Sequence, residues 1–459
     1  MSTISTYALT FNCARVSIDP AILSTHLFSS LPPRSPAPEI LILCLQELSP
    51  IAYSFLGGSY LVPYLSPFRH AVSLAGAALD NASYVNIITR NVGMTAIMVF
   101  VLRDQTSQVR WLETGGAGVG VHEMGNKGAV GVRMGWSIGD ETLDLCFVSA
   151  HLAPMEDALQ RRNEDWKNIV RGLVFTPVSP TTVRKSATHH LPQEPSSTDN
   201  QPLLSPTGEA EEAVSDSIPP MTGIYHPTTH LLLAGDLNYR TSSTPPPENA
   251  YLTWPQPTKT PSAPEHYSHL LPHDQLTPER LAARTLHGLS EAPIDFPPTY
   301  KYSEKARRNA SVSKASEEYW DWSKHRRPSW CDRILYLDMP PWMKQSHERI
   351  QIHGYNALPL MATSDHRAVA CSFIIPALPI PVPPQGEEQE EVEVERDVRL
   401  APPFALDPLW REKRTRARMK EVVVGIASLL VLTWEGRGIL IAVVFGAVGG
   451  WAVVGGLVR

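Results

Sequence analysis

Residues 231–240 read LLLAGDLNYR, an apolar run that stops at Gly235 and hands over Asp236 and Asn238. Such a run describes a buried central strand whose end carries polar groups. Period-two alternation places Asp236 and Asn238 on one face, where a carboxylate can take a proton from a water that the amide orients. Both residue types also cap turns, and this stretch alone leaves the two readings open.

Working outward, other apolar runs end the same way. Residues 7–13 form a strand ending at Asn12, and ILILCL at 40–45 is followed by Gln46 and Glu47. A carboxylate at a strand end suits a hard cation such as magnesium, which takes one or two carboxylates besides water and phosphate oxygens, but Glu47 fits a helix N-terminus equally well. TLDLCFVSA at 142–150 delivers His151, and Asp365 and His366 stand just before a last strand in ATSDHRAVACSFII at 362–375. An adjacent Asp and His offer an orienting carboxylate and a donor for developing charge. Residues 84–90 and 95–102 form a hairpin about Asn91-Val92-Gly93. A helix is expected over 156–173, with Arg161, Arg162 and Asn163 as surface or capping residues, and another over 278–286 with Thr277 as N-cap. The Gly-rich stretch 114–133, TGGAGVGVHEMGNKGAVGVR, lets backbone approach an anion beside Lys127, although its spacing matches neither the nucleotide P-loop nor the dinucleotide fingerprint. Lys301, Lys324, Arg326 and Arg327 supply cations for a second phosphate, and Asp332 with Arg333 reads as a structural ion pair.

Composition sets the bounds. The 459 residues are 43% hydrophobic and 19% charged, enough for a large core and more than one unit. A net charge of −6 argues against a nucleic-acid-binding surface, so any phosphate selectivity is local. The five cysteines lack metal-ligand spacing and read as reduced core residues. No basic-then-apolar N-terminal signal is visible, which points to a cytosolic catalytic part.

LQE, MGNKGAVGVR, SAHL with RRNEDW, GDLNYR, FPPTYKY, RRPSWCDR and SDHRAV occur here in the order found in inositol polyphosphate 5-phosphatases. The chain resembles that family from about Tyr7 to Pro376, within a catalytic domain expected over residues 1–376. The resemblance implies a four-layer α/β sandwich of two facing mixed sheets flanked by helices, the endonuclease/exonuclease/phosphatase fold. It implies magnesium held by Glu47 with Asn12 beside it, Asp236 as the base for water, and Asn238 positioning that water. His151 would touch the scissile phosphate, and His366, oriented by Asp365, would stabilise the pentacoordinate phosphorus. Tyr300, Lys301, Lys324 and Arg326 match positions that read a 4-phosphate, and Asn126 and Lys127 a loop near the 1-phosphate. One departure stands out: where the family has Trp-Asn-x-Asn, this chain has Phe11, Asn12, Cys13 and Ala14.

Residues 175–220, rich in Pro, Ser and Thr, read as a disordered insertion, and 377–410 as a Pro-rich, acidic tether. Residues 411–459 begin with six basic side chains up to Lys420, then carry the apolar runs 422–434 and 439–458, interrupted at 435–438. The second run reaches the roughly 20 residues of a transmembrane segment, with the basic cluster on the cytosolic side. By analogy with tail-anchored proteins the expected location is the endoplasmic reticulum membrane. The substrate implied is then a phosphoinositide lipid, foremost phosphatidylinositol 4,5-bisphosphate. The alternatives are a catalytically silent phosphoinositide-binding membrane adaptor and another phosphoesterase of the same fold.

Overall fold

Residues 3–178, 221–258, 260–311, 318–346, 349–382 and 397–457 are described by a computed structural model of the chain. Most of the expected insertion at 175–220 and the acidic centre of the tether lie outside the described residues.

The apolar runs pair into two sheets. The first has six strands, β1 (Thr3–Asn12), β2 (Ile40–Gln46), β3 (Tyr84–Val92), β4 (Thr95–Leu102), β12 (Gln351–Ala357) and β13 (Val369–Pro376), in the order β12-β13-β1-β2-β4-β3. The second has seven, β5 (Val109–Gly118), β6 (Gly128–Ile138), β7 (Glu141–His151), β8 (Thr176–Pro177), β9 (Thr229–Asp236), β10 (Leu289–Ser290) and β11 (Asp332–Leu337), in the order β10-β11-β9-β7-β6-β5-β8. Both are mixed, with β1 parallel to β2 and β7 parallel to β9. The quoted stretch is indeed a central strand, flanked by β7 and β11.

Alternation along each strand sorts side chains into layers. In β9, Leu232 and Ala234 join Ile42, Val99, Val132 and Phe147 between the sheets, while Leu231 and Leu233 face outward onto Trp166 and Ile169 of α4 (Leu159–Gly172). On the opposite outer face, Tyr7, Leu9 and Leu43 meet Leu23 of α1 (Pro20–His26) and Leu65 and Phe68 of α3 (Val62–Ala78); the short α2 (Ile51–Leu56) follows β2. Each such fully buried aliphatic or aromatic side chain contributes about 1.5–3 kcal/mol. The four layers follow from this sorting.

Local details depart from the sequence reading. The hairpin turns at Gly93-Met94, since Val92 lies opposite Thr95 and Gly93 has φ +51°. Helix α5 (Leu276–Leu281) is shorter than expected; its N-cap is Gln275, not Thr277, and Asp274 Oδ2 accepts from Thr277 N at 3.2 Å. Arg162 is a core residue, donating to Ala153 O, Met155 O and Gln275 Oε1 and so tying down the chain after β7. Arg333 does not pair with Asp332: neighbours on a strand point to opposite faces, and Arg333 goes to Asp274 at 3.0 Å and Glu291 at 2.6 Å. A further short helix, α6 (Glu304–Ala310), is capped by Ser303.

The expected tether at 377–410 is packed down in its last part. Arg399 is buried, donating to Thr229 O and Asp338 O, and Asp407 N donates to Arg171 O at 2.9 Å. Helices α7 (Trp410–Leu432) and α8 (Trp434–Leu457) follow, and the break between them sits at Thr433, not at residues 435–438. Among the described residues no single helix is both long and apolar enough to cross a membrane; Trp410–Leu432 and Trp434–Gly446, bent by 81°, meet that test only as a pair.

Candidate active site

Sheet register assembles the centre. Asp236 stands opposite His151 of β7 on one side and Asp332 of β11 on the other, so three strands bring one row of functional side chains to their ends. The first sheet adds Asn12 from the end of β1, Glu47 from just beyond β2 and His366 from the turn before β13. These line one polar cavity of about 280 Å³ with Lys127, Arg15, Asn238, Arg240, Tyr300, Lys301, Arg307 and Asp365. Glu47 and Asn238 both take left-handed backbone, at φ +44° and +58°. That conformation costs about 1–2 kcal/mol for a residue with a Cβ, a cost carried where chemistry fixes the side-chain direction.

Asp236 is gripped from several sides. Its Oδ1 accepts from Asn238 N at 3.2 Å and its Oδ2 from Asn12 Nδ2 at 2.9 Å, with His151 Nε2 3.3 Å and His366 Nε2 4.0 Å away. Burial by itself would raise its pKa, but His366, His151 and Lys127 hold it well below the carboxylate range. Asn238 lies past the strand end, and its carboxamide is engaged by Leu152 O and Arg240. It therefore acts on Asp236 through its backbone N–H. Asn12 is likewise a bracket: Nδ2 holds Asp236 while Oδ1 accepts from Ala14 N at 3.0 Å. Both ends of the Asn12 carboxamide thus have partners within the chain.

His366 is oriented by a residue that the sequence reading assigned to structure. Its Nδ1 lies 2.8 Å from Asp332 Oδ2, and Thr299 Oγ1 donates to the same oxygen at 2.7 Å. Asp365 instead pairs with Lys301 at 2.8 Å, which corrects its expected role. Burial lowers the His366 pKa, yet Asp332 and Asp236 overcome it and lift it to about 9, so the ring is an imidazolium at neutral pH. Burial and Lys127 instead push the pKa of His151 down. One ligand atom from each of Asp236, Asp332 and His366 lies within 4.8 Å of the others. A protonated His366 offsets only one of the two acids, and burial raises the pKa of Asp332.

Glu47 brings a further carboxylate to the same cavity. Its carboxylate lines the cavity, 3.1 Å from Arg15 Nε and 3.6 Å from Lys127 Nζ. Burial would raise its pKa, but His151, Lys127 and Arg15 lower it and keep it ionised. Lys127 itself lies between Glu47 and His151, its pKa lowered by burial despite Glu47 and Asp236.

Five cationic side chains (Arg15, Lys127, Arg240, Lys301, Arg307) face three carboxylates (Glu47, Asp236, Asp365) across the cavity, an excess that favours an anion. Arg240 stacks 4.4 Å over the Tyr300 ring, and its Nη1 is buried without an acceptor. Lys324 and Arg326 are not brought to the cavity. The Lys324 ammonium sits over the ring of Tyr251, and Arg326 Nε lies 3.8 Å from Glu156. Asn126 is also off the wall, its Oδ1 turned toward Gly120. The sequence reading missed Arg15, Arg240, Arg307 and Asp332; Arg240 closes the quoted stretch itself, and Arg307 belongs to a basic run behind an N-cap serine.

A profile described as endonuclease/exonuclease/phosphatase family 2 matches residues 9–372, the span from β1 to β13 that closes this centre. The chain belongs to that family. Among its relatives, type II inositol polyphosphate 5-phosphatase 15 of Arabidopsis thaliana is 28% identical over 360 residues, 73% of this chain and 29% of that protein. Polyphosphatidylinositol phosphatase INP53 of Saccharomyces cerevisiae is 27% identical over 340 residues, 73% of this chain and 24% of its own length. Phosphatidylinositol 3,4,5-trisphosphate 5-phosphatase 1 of Xenopus laevis is 27% identical over 299 residues, 64% of this chain and 23% of its own length. The matched part is thus about a quarter of each of these relatives. The inositol polyphosphate 5-phosphatase domain of spsynaptojanin, solved with inositol (1,4)-bisphosphate and calcium ion, superposes at a TM-score of 0.55 with 20% identity, covering 92% of this chain and 90% of that one. That likeness is one of fold.

Proposed function

We propose that this chain removes the 5-phosphate of phosphoinositides by magnesium-dependent hydrolysis, converting phosphatidylinositol 4,5-bisphosphate to phosphatidylinositol 4-phosphate at a membrane. The observation that carries this reading is the cation-rich cavity in which an ionised Asp236 faces a protonated His366 with Glu47 alongside. Magnesium held by Glu47 would neutralise phosphate oxygens and the leaving alkoxide. Asp236, fixed by Asn12 and by the Asn238 N–H, takes the proton of the attacking water. His366 places positive charge where the pentacoordinate phosphorus becomes more anionic, and Lys127 with His151 holds the scissile phosphate. Lys301 and Arg307 serve the neighbouring 4-phosphate, and Arg240 has a donor to spare.

The relatives whose names specify inositol polyphosphates or phosphoinositides support the substrate class. The membrane setting draws on α8, whose Trp434, Ile441, Val444, Phe445 and Trp451 are all exposed. The endoplasmic reticulum membrane remains the proposed location.

The test is phosphate release from a phosphoinositide panel with and without magnesium, with products identified. Asp236→Asn should lower kcat by about 10²–10⁴-fold, the scale of a general base. Lipid binding by the wild-type chain with no phosphate released would instead favour a silent phosphoinositide-binding adaptor.

A further inference from the structure

Helix α7 enters the domain at one buried charge. Glu421 is fully buried; Arg414 holds it at 2.6 and 3.0 Å and Arg418 at 3.2 Å, while its Oε1 also accepts the N–H of Gly125 at 2.8 Å. Burying a carboxylate is costly unless it is paired and hydrogen-bonded, and here one of its partners is the backbone of a distant loop. Gly125 lies between β5 and β6, two residues before Lys127. Gly125 O accepts from Met94 N at 2.8 Å, and Met94 O accepts from Leu48 N at 3.2 Å, immediately after Glu47. A run of hydrogen bonds thus steps from α7 through the two segments that carry Lys127 and Glu47. A second anchor lies alongside: Arg418 donates to Phe55 O and Leu56 O at the end of α2. Gly425 permits that approach, since a Cβ there would stand 3.1 Å from Phe55 Cβ.

We propose that α7 is a positioning element of the active site, and that Glu421, through Gly125, holds Lys127 and Glu47 at their working separation. The inference rests on the proposed hydrolysis for its kinetic readout. Because α8 follows after a single break at Thr433, the same contact ties the apolar helix to the catalytic cleft.

The test uses the full chain and water-soluble dioctanoyl phosphatidylinositol 4,5-bisphosphate, so that membrane docking does not enter. Glu421→Ala, which removes the acceptor, should lower kcat about tenfold with KM within twofold. Gly425→Leu, which levers α7 off α2 without touching a charge, should do the same. Glu421→Gln keeps an acceptor for Gly125 and should stay within threefold of wild type. Amide exchange in residues 118–127 should rise in Glu421→Ala and Gly425→Leu but not in Glu421→Gln, at temperatures where circular dichroism shows each variant folded. Should Glu421→Ala not fold, Glu421→Gln against Gly425→Leu carries the comparison. Unchanged kcat and exchange in the variants that lack the contact, or equal losses in all of them, overturn the proposal. A wild-type chain that releases no phosphate would sink the hydrolysis instead, and exchange would still decide the role of Glu421.

Discussion

His366 depends for its charge on Asp332 more than on its sequence neighbour. Asp332→Asn removes the ion-pair partner 2.8 Å from Nδ1 and should lower kcat by about 10²-fold, the lower range for a group placed at developing charge. Asp365→Ala should act chiefly on KM, because Asp365 contacts Lys301. Equal kcat losses in the two variants would return Asp365 to the role its adjacency suggests. The pH dependence has a definite sign. The His366 pKa is raised in the folded chain from 6.5 to about 9, so its stabilising contribution is complete below 6.5 and is lost as pH rises through about 9. Thermal denaturation followed from pH 6 to 10 should show that loss in wild type and a smaller one in Asp332→Asn. Residue identity made Asp236, Glu47 and His366 legible as candidates. Which acid serves which base was not, because adjacency along a strand end says nothing about the strand across.

At the scale of elements, the site depends on β7 and β9 lying close and in register. A Cβ on Gly235 would come 1.9 Å from Ala150 O, so Gly235→Ala must push the two strands apart. Overpacking of this kind costs about 1–3 kcal/mol. It should lower Tm and also reduce activity, because it moves His151 away from Asp236, 3.3 Å distant in the native register. A stable variant with full activity would show that this register is not needed. The strands themselves were readable from alternation and apolar runs, since their side chains answer to two faces of a sheet. The short helices were less so: α5 begins at Leu276, ahead of the expected Thr277 cap, and Arg162 is buried by acceptors from two loops that the helix sequence does not contain.

For the whole molecule, binding of a cation to the folded centre alone must raise stability. Magnesium at a hundredfold excess over its Kd adds about 2.7 kcal/mol, so adding it to the chelated chain should raise Tm. Glu47→Ala should abolish that rise, and an undiminished rise would place the cation elsewhere. The exposed apolar face of α8 should bind lipid. Phe445→Asp, at a side chain 72% exposed, should weaken flotation of the chain with phosphatidylcholine and phosphatidylserine vesicles while leaving turnover of a soluble substrate intact. Equal flotation would remove α8 from the membrane contact.

By itself the sequence determined the strands and the polar groups at their ends, Asp236 among them, because apolar periodicity and polar run-ends are local properties; the layered α/β architecture was implied by the family resemblance of the motifs. Only the tertiary structure decided that Asp332 serves His366, that Lys301 and Arg307 rather than Lys324 and Arg326 line the cavity, and that α7 docks beside Lys127. Those choices depend on cross-strand register and on which loops share a cleft, and neither is written in the spacing of residues along the chain.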